Sequence, residues 1–143
     1  MTDPTEEEYG DFPLRRYLGM EMVEVAPGTG VARITLAEHH ANPNGVVHGA
    51  VLFAMVDTAM GQATMSVLDE GLFCASVDVQ LRFIRPVGRG VVEAEARVLK
   101  KGRSVVHLDA RIVDDADRLI ATASGTFTII TLPPSDGEGP PKP

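Results

Sequence analysis

The chain has 143 residues, 44% of them hydrophobic and 23% charged, with a formal net charge of −7. That length suits one domain with a core of its own, and the negative balance argues against nucleic acid and anionic membranes as partners. The single cysteine, Cys74, excludes an intrachain disulfide and fits a reducing compartment.

The acidic start, MTDPTEEEYGD, has no apolar stretch and reads as a loose arm over residues 1–13, not as a secretory signal. The Pro/Gly-rich ending from Pro133 reads as a disordered tail over residues 133–143. One domain at 14–132 lies between them. Its longest apolar run, Gly49 to Val56, falls far short of the ~20 residues a membrane helix needs, so a cytoplasmic protein without membrane contact is expected.

Met20 to Ala26 and Val31 to Ala37 read as a strand pair around the turn PGTG, followed by the loop EHHANPNG. From about His48 to Leu68 the chain is rich in Ala, Met and Leu and free of Pro, which favours helix. That helix is apolar nearly all round, as expected of a buried one. Four strand patterns follow, at Ala75–Arg85, Val91–Leu99, Val105–Val113 and Leu119–Thr131. In the first of these, Ala75, Val77, Val79, Leu81 and Phe83 alternate with Ser76, Asp78, Gln80 and Arg82, predicting an apolar inner and a polar outer face. The turns RPVGRG, KKGR and DDADR make the series an antiparallel meander. A single apolar helix needs a sheet around it, so the predicted class is α+β, an antiparallel sheet wrapped on one long helix. The half-apolar strands suggest a dimer through a sheet edge or helix face.

Asp57 stands alone in the apolar helix. No other acid lies between Glu38 and Asp69, and no Lys or Arg between Arg33 and Arg82. On a helix its neighbours are Phe53, Ala54, Met60 and Gly61, surroundings that push a carboxyl pKa upward. This suits a general base or nucleophile; a turn cap, or a partner elsewhere in the fold, is the other reading. At the helix start, the Gly49 amide can meet a substrate carbonyl closely, or Gly49 can simply serve packing. Asp57 lies nine residues after His48, ~13 Å along the axis, too far to act on the same atom within one chain. Either the two work in different sites, or a second subunit brings its Asp57 to this Gly49, which a symmetric dimer would do twice. His48 suits a capping or turn role. His39 and His40 have no carboxylate or cysteine at metal-ligand spacing, so no metal is expected. Ser76 reads as a strand serine. The cluster Lys100, Lys101, Arg103 with Ser104 suits a phosphate group or is a solvated hairpin tip.

The spaced set Asn42-x-x-Gly45-x-x-His48-Gly49-(x7)-Asp57, followed by Ala75-Ser76-Val77-Asp78 and the RPV turn, resembles the hotdog-fold acyl-CoA thioesterases, the PaaI-like (phenylacetate-pathway) group in particular. The resemblance spans about Leu14 to Thr131. It implies a hotdog fold and hydrolysis of a thioester to free acid and CoA, with the acyl-CoA as substrate and no cofactor. It also implies roles: Asp57 as general base or nucleophile, the Gly49 amide as carbonyl donor from the other subunit, and Asn42 orienting water or thioester. Ser76 would hold the water, and His48 would position the helix start. Arg85, Lys101, Arg103 and Ser104 are the implied CoA-phosphate contacts, in a homodimer with shared sites and, by family habit, a homotetramer. Phe53, Met55, Met60, Met65 and Leu68 would line the acyl pocket. Many relatives read His-Gly-Gly where this chain has Ala50, and Gly61 cannot supply the hydroxyl that another lineage carries one turn after the carboxylate. Rival readings are a non-catalytic acyl-CoA-binding hotdog module, a hotdog dehydratase or hydratase, and a structural dimerisation domain.

Overall fold

A computed structural model of the chain describes residues 10–131 apart from Glu24. Most of the expected arm (residues 1–9) and the whole expected tail lie outside the described residues. A short helix missed by the sequence reading, α1 (Pro13–Leu18), opens the described part. Pro13 occupies its first turn, and Gly19 at φ 65° closes it by donating its amide to Arg15 and Arg16 carbonyls. Then come β1 (Glu21–Val23), β2 (Thr29–Thr35), a 3₁₀ turn (Glu38–His40), α2 (Gly49–Met65), β3 (Leu72–Phe83), β4 (Val91–Lys101), β5 (Val105–Asp114) and β6 (Leu119–Thr131).

The six strands form one antiparallel sheet in the order β1-β2-β4-β5-β6-β3, with α2 packed across the inner face of β2 to β6. This is the hotdog arrangement. The first strand is shorter than expected, three residues against seven. The helix is trimmed at both ends, because His48 caps its start and Ser66 its end.

Backbone contact fixes how deep the helix sits. A Cβ on Gly30 of β2 would overlap the Ala59 carbonyl oxygen and lie 2.9 Å from the Ala63 amide nitrogen. Glycine there, facing two alanines on α2, lets helix and sheet meet main chain to main chain. Gln62 adds a polar tie: its side-chain oxygen accepts the Val31 amide at 2.9 Å.

The helix is not buried all round. Val51, Leu52, Met55, Val56, Ala59, Met60, Ala63 and Thr64 form one buried stripe, and Phe53, Asp57 and Gly61 stand on the other, less covered side. Met55 and Met60 are completely buried core side chains and are therefore not lining an acyl pocket.

The expected alternation of β3 is also corrected. Ser76 pairs with Phe127 and Asp78 with Thr126, so Val77 is an extra, bulged residue. The bulge resets the phase. Cys74 and Ser76 before it share the inner side with Val79 and Leu81 after it, opposite the inward residues Ile129, Phe127, Gly125 and Ala123 of β6. Val77 is left 63% exposed. β3 is an edge strand twelve residues long with no further strand beside it among the described residues.

Candidate active site

Asp57 sits in the third turn of α2 on the side facing β3. Its Oδ1 is buried without a hydrogen-bond partner among the described residues. Burial pushes its carboxyl above the usual carboxylate range, and hydrogen bonding from the Ser76 side chain pulls partly against that. No ion pair neutralises it among the described residues. A carboxylate with free lone pairs at an unpaired edge can take a proton from a bound water. Cys74 lies in the same place. Burial first, and then the Asp57 charge, hold its thiol up at about 11, so it stays protonated at neutral pH.

The start of α2 is built differently. His48 caps the helix, its Nδ1 accepting the Ala50 amide at 2.9 Å, and its carbonyl accepts the Val51 amide at 2.9 Å. Gly49, between them, has no intrahelical acceptor for its N–H. Asn42 is a loop-builder: its side-chain oxygen accepts the Asn44 amide at 2.9 Å and the Val46 amide at 3.3 Å. Only its side-chain NH₂ is left to donate outward. A cleft of about 400 Å³ joins Asn42 and Gly49 to Leu52, Phe83 and Arg85. The Phe83 ring lies so close that a Cβ on Gly49 would be 2.9 Å from its Cζ, a contact for which the sequence offers no signal.

Asp57 does not line that cleft. Eight residues of helix, ~12 Å, separate it from Gly49. The basic residues divide the same way. Ser76, Phe127, Val106 and Lys101 lie in one row across the sheet, so Lys101 is three strands or ~14 Å from Ser76, with Arg103 at the adjoining hairpin tip. The Ser104 carbonyl is taken by the Ile129 amide, which pins that tip to β6. Arg85 lies at the far end of β3, where its amide donates to Ile120, nine residues or roughly 30 Å from Ser76. One chain thus keeps these candidates in two separate groups: Asp57 and Ser76, with Lys101 and Arg103 beyond them on the sheet, and Asn42, Gly49 and Arg85 at the helix start. Arg85, Lys101 and Arg103 make no ion pair among the described residues.

His39 and His40 tie backbone segments together. His40 is buried, with both ring nitrogens bonded to backbone, and the His39 Nε2 lies 3.1 Å from the Tyr17 carbonyl. No cluster of three or more His, Cys, Asp or Glu side chains placed for a metal occurs among the described residues.

Comparisons with known proteins bear on this geometry. The family model described as "Thioesterase superfamily" matches residues 44–121, which contain Gly49, Asp57 and Ser76. A solved conserved protein of Pseudomonas aeruginosa is 30% identical with a TM-score of 0.82, covering 86% of this chain and 98% of that one. A phenylacetic acid degradation protein of Thermus thermophilus, solved as a mutant, is 25% identical with a TM-score of 0.75, covering 82% and 98%. A Haemophilus influenzae thioesterase, 24% identical with a TM-score of 0.83 and 92% of each chain covered, shares the fold.

Proposed function

This chain belongs to the thioesterase superfamily and is a thioester hydrolase, and we propose that it cleaves acyl-CoA to a free acid and CoA at a site built from two chains. The observation that carries the reading is Asp57, a desolvated carboxylate with an unpartnered oxygen, facing Ser76 on the uncovered side of the helix.

A two-chain site is supported by the separation of the two groups and by what borders them. β3 offers an unpaired edge, and Val77 and Phe83 on it are 63% and 59% exposed. Pairing two β3 strands antiparallel about a twofold axis sets the Arg85 end of one beside the Ser76 end of the other. That places one chain's Asn42, Gly49 and Arg85 toward its partner's Asp57, Ser76, Lys101 and Arg103.

In that arrangement the Gly49 N–H donates to the thioester carbonyl. Ser76 and the Asn42 NH₂ hold a water. Asp57 takes one proton from the water as its oxygen bonds to the carbonyl carbon. The resulting oxyanion is stabilised at the α2 N-terminus. Collapse restores the C=O bond and breaks the C–S bond, and the proton held by Asp57 leaves with the CoA thiolate. Lys101 and Arg103 face the CoA phosphates from one side and Arg85 from the other.

The test is free-thiol release from phenylacetyl-, hydroxybenzoyl- and straight-chain acyl-CoAs, with Asp57→Asn run alongside. Turnover that disappears in folded Asp57→Asn supports the reading and names the acyl class. Absence of turnover on every member, together with tight CoA binding, would replace the enzyme with a binding module.

A further inference from the structure

His40 is 3% exposed, and its ring is held at both ends by main chain. The Nδ1 accepts the Ala37 amide at 2.9 Å, and the Nε2 donates to the Leu18 carbonyl at 2.8 Å. Neither partner can reverse its role, since an amide only donates and a carbonyl only accepts. The ring is therefore the neutral Nε2–H tautomer, bolted between the end of α1 and the 3₁₀ turn.

The same residue reaches the active-site helix through its backbone. The His40 carbonyl accepts the His48 amide at 2.8 Å. His48 in turn binds the Val51 amide through its carbonyl and the Ala50 amide through its Nδ1. The peptide unit that carries the Gly49 N–H is thus fixed on both sides, and the fixed point upstream is His40.

We propose that His40 is a positioning residue for the hydrolysis: its twice-anchored ring holds the His40 carbonyl on His48 and thereby aims the Gly49 N–H. The inference rests on the reading of Gly49 as the carbonyl donor. Aim matters here because a donor that stabilises the transition state contributes only when it meets the oxyanion within hydrogen-bond distance.

The experiment is steady-state acyl-CoA hydrolysis by wild type, His40→Ala, His40→Asn, His40→Gln and Gly49→Pro, and by the His40→Ala/Gly49→Pro double variant, well below each Tm. His40→Ala should lower kcat about 10- to 100-fold, with KM within about twofold, because a misaimed donor is lost chiefly in the transition state. His40→Asn, which keeps an acceptor for the Ala37 amide, should recover part of the rate. In the Gly49→Pro background, His40→Ala should have no further effect on kcat, since the donor it aims is already gone. Wild-type kcat in folded His40→Ala, or additive losses in the double variant, would overturn the proposal. Where His40→Ala does not fold, His40→Gln, which keeps only the Leu18 bond, carries the test, and an unchanged kcat overturns it. Full activity in Gly49→Pro would instead remove the donor reading itself.

Discussion

Ser76 faces Asp57 across the gap between β3 and α2, and the bulge at Val77 lets it do so without turning Val79 and Leu81 out of the core. Among the described residues the carboxylate therefore has the Ser76 hydroxyl beside it, one buried bare oxygen and no ion-pair partner. Such a group is held at a cost to the fold.

That cost has a sign. Asp57 binds its proton more tightly in the folded chain than in the unfolded one. Between the ordinary carboxylate pKa and the raised one, the folded state holds more protons, so stability falls as pH rises through that window. Asp57→Asn removes the penalty. The variant should show a higher Tm than wild type at pH 7, with the gap closing as pH falls below the ordinary carboxylate range, while thiol release is lost. The same shift predicts that wild-type kcat/KM declines on the acid side at a pH above that of an unperturbed carboxylate. Thermal melts and rate profiles over the pH range check both.

Cys74 reports the Asp57 charge. Its thiol is pushed up to about 11 by burial and, second, by the neighbouring carboxylate. Alkylation by iodoacetamide should stay slow at neutral pH and rise with a midpoint near that value. In Asp57→Asn the midpoint should move down, because a negative neighbour is gone. An unmoved midpoint would mean that the two groups do not sense each other.

Lys101 and Arg103 have no ion-pair partner among the described residues, so removing them strands no carboxylate. The double variant Lys101→Ala/Arg103→Ala should raise KM for acyl-CoA roughly tenfold at low salt with kcat little changed. The matching thioester of N-acetylcysteamine, which lacks the nucleotide, should be hydrolysed as by wild type. Equal effects on both substrates would place the nucleotide elsewhere.

Gly30→Ala addresses the fold rather than the chemistry. The added methyl would collide with the Ala59 carbonyl, which belongs to a helix and cannot yield as a side chain can. The variant should lose several kcal/mol of stability, on the scale of severe overpacking, or fail to fold. Urea unfolding measures it. A loss of less than about 1 kcal/mol would contradict the close packing of β2 on α2.

The order of strands and helix was legible because apolar periodicity changes from two to helical and back, with Gly and Pro at the turns. Asp57 was legible because a lone acid in an apolar helix breaks a pattern. The phase of β3 was not. Polar and apolar residues continue to alternate through Ser76, Val77, Asp78 and Val79, so a one-residue bulge leaves no mark in the sequence, and Ser76 was read as facing outward. Composition also overstated the burial of α2, since Phe53 and Ala54 are apolar yet stand on its less covered side. The helix α1 is only six residues long, too short for a period to show, and the contact of Gly49 with Phe83 joins residues 34 apart.

The shared site is tested most directly by subunit mixing. Asp57→Asn and Gly49→Pro chains are each expected to be inactive: the first lacks the proposed base, and the second lacks the proposed donor N–H at a first helical position whose backbone suits proline, with the exposed Phe83 ring moving aside to admit the added carbons. The two are unfolded together, refolded as a mixture, and assayed for thiol release from the preferred acyl-CoA. A site drawn from two chains predicts recovery of about a quarter of wild-type activity in an equal mixture, because half of the dimers are mixed and each mixed dimer has one intact site. A mixture as inactive as its components, with mixed dimers demonstrated by differential tagging, would contradict it.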